Sequence, residues 1–186
     1  MTDHQVTDKQ ATGNPATGNP ALVLILMGVS GCGKSTIGHL LADRLGWPLL
    51  EGDEFHSAAN IAKMREAVPL NDADRRPWLE AIAAQLADWY GRGQSGLVTC
   101  SALKRIYRDC LVADCPSARF IHLKGDSALI RPRLVGRFGH FMPVDLLDSQ
   151  FAALQEPGRD EKAITVMVDR SPDEIAAEIQ ARLSEL

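Results

Sequence analysis

Five short apolar runs recur from residue 21 onward, at 21–27 (ALVLILM), 47–53 (WPLLEGD), 96–100 (GLVTC), 118–126 (ARFIHLKGD) and 163–168 (AITVMV). Unbroken apolar character, rather than apolar/polar alternation, predicts strands covered on both faces, as in a parallel sheet. Each gap between runs is long enough for a crossover helix. Helical spacing is clear in two of them: Ile37, Leu40, Leu41 and Leu45 share one face, and Trp78, Ile82, Leu86 and Trp89 recur about one turn apart. A final helix is announced by Ser171 as N-cap, Pro172 at the first helical position and Glu174 as the capping-box acid. The expectation is an α/β chain in three layers, a five-stranded parallel sheet flanked by helices. Trp78 and Trp89 are read as core or groove lining and are assigned no chemistry.

Residues 1–20 break this pattern. They are polar and carry ATGNP twice in succession, the composition of a disordered leader outside the fold. That leaves 21–186 as one domain, and a chain of 186 residues with 45% hydrophobic content can bury one full core. The formal charge of −4 and pI near 5.7 provide no overall attraction to nucleic acid or an anionic membrane. A small anionic or neutral substrate remains open. Cys32, Cys100, Cys110 and Cys115 form no C-x-x-C pair and no hydrophobic signal sequence precedes them, so reduced thiols in the cytoplasm are expected, without a disulfide framework or a zinc site. The longest apolar run, 21–27, falls far short of the roughly 20 residues of a membrane span.

Directly after the first run, LMGVSGCGKST satisfies G-x-x-x-x-G-K-[ST] at every defined position. A buried strand before it and a helix after it supply the context of a phosphate loop. Gly28, Val29, Ser30, Gly31, Cys32, Gly33, Lys34, Ser35 and Thr36 are therefore expected to cradle a nucleoside triphosphate. Lys34 would reach the β and γ phosphates and the Ser35 hydroxyl would ligate magnesium. Cys32, a thiol among amides at a helix N-terminus, is expected to be a point of oxidative inactivation.

In open α/β sheets ligands sit beyond the carboxyl ends of the strands. After the second run stand Asp53 and His56, where a carboxylate can orient a hydroxyl or accept its proton. After the third, where a molecular motor or switch would place an acid, the chain has Ser101 and Lys104 instead, a hydroxyl and a cation suited to gripping a substrate. After the fourth, Arg131, Arg133 and Arg137 follow at helical distances, then Gly139 and His140, in a segment over about 126–143 with the features of a lid. Mobile arginines closing on a transferring phosphate stabilise its charge and exclude water.

With these residues in place the chain resembles the gluconate kinases, small phosphate-loop carbohydrate kinases similar in fold to shikimate and nucleoside monophosphate kinases. The resemblance rests on MGVSGCGKST, GDEFH followed by NIAKM, PLNDADRRPWL, CSALKRIYRD, FIHLKGD, GHFMP and QFAALQEP, in that order from Met27 onward. It implies ATP-dependent phosphorylation of D-gluconate at its 6-hydroxyl, with magnesium, by a cytoplasmic homodimer. It further implies Lys34, Asp53, Arg133 and Arg137 as catalytic residues. His56, Arg75, Ser101, Lys104 and His140 are expected to join Asp53 in holding the acceptor, and the charge of Lys104 or Arg75 would suit its carboxylate. Three positions depart from the family pattern: Glu51 replaces an aspartate, Ser57 a proline and Ala67 a glycine. A kinase for another small acceptor, such as shikimate or a nucleotide, shares the loop and the lid. A regulatory or nucleic-acid-linked NTPase is the alternative of another class, against which stand the negative charge, the missing strand-end acid and the lack of an N-K-x-D motif.

Overall fold

The structure, a computed structural model, describes residues 21–66, 68–135 and 145–185. Every predicted apolar run forms a strand: β1 (Val23–Met27), β2 (Leu49–Glu51), β3 (Gly96–Thr99), β4 (Ala118–Lys124) and β5 (Ala163–Met167). They pair in parallel in the order β2-β3-β1-β4-β5. The helices are α1 (Lys34–Leu45), α2 (Ala58–Arg65), α3 (Asp72–Gly91), α4 (Arg105–Val112), α5 (Ser127–Val135), α6 (Asp145–Ala153) and α7 (Pro172–Leu183). The leader proposed for 1–20 and the segment 136–144 between α5 and α6 lie outside the described residues.

The central position of β1 explains its sequence. All five of its residues are fully buried, because alternate side chains enter different layers. Leu24 and Leu26 join Ile37, Leu41, Ile175 and Ile179 on one face of the sheet, whereas Val23, Ile25 and Met27 join Ile82, Leu86 and Leu111 on the other. At the edge, β5 keeps only alternate residues covered and leaves Met167 45% exposed. None of the helices among the described residues is long and apolar enough to cross a membrane.

Local signals set the helix ends. In α3 the Asn71 side chain accepts from the Asp74 N–H while Asp74 accepts from that of Asn71, a reciprocal cap. Ser171 and Glu174 make the same arrangement at the start of α7, as their spacing predicts. Trp78 and Trp89 are both buried against the sheet. Trp78 does more than fill the core, since its indole N–H donates to the Gly52 carbonyl at 2.7 Å.

Candidate active site

At the carboxyl end of β1 the chain turns through Gly28, Gly31 and Gly33, with φ of +138°, +82° and +101°. A Cβ at Gly28 would meet the Leu123 carbonyl oxygen at 2.7 Å, and one at Gly31 would meet Leu134 at 2.8 Å. Glycine thus satisfies both the backbone angle and the close approach. The Gly28 N–H donates to the Ser101 carbonyl at 3.2 Å, tying the loop to the end of β3. The Lys34 ammonium donates to the carbonyls of Gly28 and Val29, at 3.0 and 3.1 Å. Val29 and Cys32 point inward, 2% and 1% exposed. The Cys32 side chain packs in the apolar layer, which corrects the expectation of an oxidation-prone thiol: its position among amides is real, but its sulfur faces the core.

Beside the loop stands Glu51, an acid to which the sequence alone assigns no role. The Ser35 hydroxyl donates to Glu51 Oε2 at 3.1 Å, and the Thr99 hydroxyl donates to the same oxygen at 2.6 Å. Glu51 Oε1 is buried without a hydrogen-bond partner, with His39 Nε2 3.8 Å away. A hydroxyl and an unsatisfied carboxylate oxygen side by side fit Mg²⁺, which takes few protein ligands and fills its shell with water and phosphate oxygens. The acid sought after β3 stands instead at the end of its neighbour β2, where the register sets Glu51 opposite Thr99. Gly52 follows because a Cβ there would lie 2.0 Å from the Thr99 carbonyl oxygen.

Lys34, Asp53, His56, Arg75, Ser101 and Gln150 line one cleft next to the loop. Asp53 is exposed on the short 3₁₀ turn Gly52–Phe55. The His56 ring stacks on Trp78, centroids 4.3 Å apart and planes within 16°, and its Nδ1 is buried without a partner. Burial lowers the His56 pKa below 6.5, Asp53 opposes that shift and Arg75 adds to it, so the ring is neutral at pH 7. Arg75 is anchored at the wall by its Nε–H on the Leu70 carbonyl, 3.3 Å away. Gln150 of α6 reaches the loop directly. Its Oε1 accepts from the Ser30 N–H at 2.7 Å and its Nε2 donates to the Ser30 hydroxyl at 3.1 Å. In the sequence Gln150 is visible only as part of QFAALQEP.

Two cations are placed elsewhere than expected. Lys104 lies 2.6 Å from the Asp72 carboxylate and over the Tyr107 ring, and does not line the cleft. Bonds from Lys104 and Tyr107 hold the Asp72 carboxyl below its usual range, so this lysine's charge is already matched. Arg133 donates to the Val168 carbonyl at 2.7 Å and lines a separate cavity of about 380 Å³ with Gly31, Gly33, Thr36, Arg170 and Pro172. It is therefore not brought to the side of the loop that Asp53 occupies. Arg131 pairs with Asp148 across α5 and α6 at 2.5 Å. Arg137 and His140 lie outside the described residues, as does Ala67.

Residues 30–88 match the family model for shikimate kinase. Over 156 residues the chain is 45% identical to the gluconokinase of Gluconobacter oxydans (strain 621H), a match covering 84% of this chain and 88% of that protein. The chain belongs to the gluconokinase family. Thermosensitive gluconokinase of Escherichia coli (strain K12) is 46% identical over 149 residues, covering 80% of this chain and 79% of the relative. The crystal structure of a gluconokinase from Sinorhizobium meliloti 1021 matches with a TM-score of 0.80 at 41% identity, over 89% of this chain and 93% of that one. Shikimate kinase from Aquifex aeolicus, at 18% identity and a TM-score of 0.63 over 88% of this chain and 96% of that one, shares the fold.

The half-buried His56 and the buried His122 predict how this gluconokinase-family protein responds to acid. His122, 1% exposed with Nδ1 unpartnered, has its pKa lowered by burial, as His56 has, with Glu156 opposing and Lys124 and Arg108 assisting. Both folded-state values lie below 6.5, so as the pH falls the unfolded chain binds protons first. The stability is present in full above the unfolded value and is lost as the pH drops through the folded ones. The urea midpoint is expected to be lower at about pH 5.5 than at about pH 7.5, and His122→Gln to narrow that difference. An unchanged difference in the variant would remove His122 from the explanation.

Proposed function

We propose that this protein transfers the γ-phosphoryl group of ATP to the 6-hydroxyl of D-gluconate, giving 6-phosphogluconate and ADP. The observation that carries the reading is the meeting in one cleft of Lys34 from the phosphate loop with Asp53, His56 and Arg75. Donor and acceptor machinery share a wall there, as in-line transfer requires.

Each group has a task its chemistry suits. The loop amides and Lys34 hold the β and γ phosphates. Ser35 and Glu51 would hold Mg²⁺, which when bound neutralises phosphate charge. Asp53 orients the acceptor hydroxyl and takes its proton as the oxygen attacks. His56, neutral and pinned by Trp78, offers a hydrogen bond to a further hydroxyl, as does Ser101. Arg75 faces the carboxylate, the task for which Lys104 is already paired. The cavity lined by Arg133 and Arg170 takes the adenine base. By the family resemblance, Arg137 would stabilise the transferring phosphate and His140 would bind the acceptor. The protein acts as a cytoplasmic homodimer, folded as one domain behind its leader.

Measuring ADP release over a panel of gluconate, other aldonates, shikimate and nucleoside monophosphates tests the reading. Gluconate is expected to give the highest kcat/KM, by at least about 100-fold over acceptors without a carboxylate, since a cation left unpaired in the cleft discriminates strongly. A chain that releases ADP with shikimate or a nucleotide but not with gluconate would overturn it.

A further inference from the structure

Helices α5 and α6 grip consecutive residues of the phosphate loop. From α6, Gln150 binds both the backbone N–H and the hydroxyl of Ser30. From α5, Ile130 and Leu134 press on Gly31 so closely that a Cβ there would stand 3.2 and 2.8 Å from them. The Arg131–Asp148 ion pair links the two helices to each other. Residues 30 and 31 precede the amides of Gly33 and Lys34 that open α1. Their orientation therefore sets where the phosphate chain lies relative to Asp53.

From this we infer that Gln150 is a positioning residue for phosphoryl transfer, one that holds the donor loop in register with the acceptor cleft and links that register to the placement of α5 and α6. A carboxamide suits the task. Its oxygen accepts and its nitrogen donates, so two contacts fix both the peptide and the hydroxyl of Ser30. The side chain also lines the acceptor cleft, and it is neutral, adding no repulsion where a triphosphate must sit. The inference rests on the kinase reading above and deepens it by naming what aligns the donor.

Steady-state kinetics of Gln150→Leu, Gln150→Glu, Ser30→Ala and the Gln150→Leu/Ser30→Ala pair test it. Misalignment by about 1 Å costs on the order of 100-fold, so Gln150→Leu is expected to lower kcat by about 10- to 100-fold with both KM values within about threefold. Ser30→Ala should lower kcat less in the Gln150→Leu background than in the wild type, since the two side chains act through one contact. Gln150→Glu can accept from both Ser30 groups, so it should recover much of the kcat lost in Gln150→Leu while raising the KM for ATP through its charge. Should the leucine variant not fold, the glutamate and Ser30 variants decide. Wild-type kcat in Gln150→Leu, additive losses in the pair, or a glutamate variant with no better kcat than the leucine one would each overturn the inference. Slow ATP hydrolysis without acceptor, measured on the same variants, reads donor alignment alone. A wild-type protein that ignored gluconate would sink the acceptor assignment there and leave the Gln150 effect still measurable.

Discussion

Replacing Asp53 with asparagine is expected to lower kcat for gluconate phosphorylation by about 10²- to 10⁴-fold, the range associated with losing a positioned proton acceptor. Asparagine keeps the shape and one oxygen, so the KM for gluconate should change little, and the ratio kcat/KM should fall almost as far as kcat. Stability should hold, because Asp53 is exposed on its 3₁₀ turn and substitutions at such sites usually shift unfolding by no more than about 0.5 kcal/mol. Urea unfolding beside steady-state kinetics separates the two effects. Near-normal turnover in a folded Asp53→Asn variant would hand the proton to another group in the cleft.

Asp53 is legible in the sequence because its place depends on local order alone: residues that follow closely on a strand of a parallel sheet face the ligand edge. The same locality made the strands readable. β1 is apolar at every position since it is covered on both faces, and the caps of α3 and α7 lie within three residues of one another. What stayed hidden depended on partners distant in sequence or on side-chain direction. Lys104 looked free beside the cleft until α3 brought Asp72 to it from 32 residues away. Glu51 gained its setting only when β2 paired with β3 and put Thr99 opposite it. Cys32 lies within the loop motif, but no spacing rule tells that its thiol turns into the core. Arg133 stood at a good helical distance from Arg137, yet the packing of α5 on Gly31 sends its guanidinium to the Val168 carbonyl.

Arg108→Met is expected to destabilise the fold by about 3–5 kcal/mol, the range for breaking a buried ion pair from one side. The guanidinium is 1% exposed and its Nη2 lies 3.0 Å from Oε1 of Glu161, whose side chain is 6% exposed. Burial pushes the Glu161 carboxyl up, but hydrogen bonds from Arg108 and the Gly158 N–H outweigh it and hold the group ionised, below its usual range. Methionine would leave that buried charge with only the more distant Arg105, at 3.6 Å, and the Gly158 N–H. It would also release the carbonyls of Ala102, Leu103 and Gln155, which Arg108 Nη1 now binds at 3.1, 3.2 and 2.8 Å. Ala102 has a φ of +45°, a conformation that costs a residue with a Cβ energy and needs such support. The consequence reaches the active site, because Ser101, whose carbonyl accepts the Gly28 N–H of the phosphate loop, is the residue before it. Thermal unfolding should move down by roughly 10 °C for a chain of this size. Removing both charges together, as Arg108→Met with Glu161→Leu, should recover part of that loss, because no buried charge then lacks its partner. A single variant with an unchanged unfolding midpoint would mean that this pair contributes no net stability and that the turn carrying Ser101 holds its shape without it.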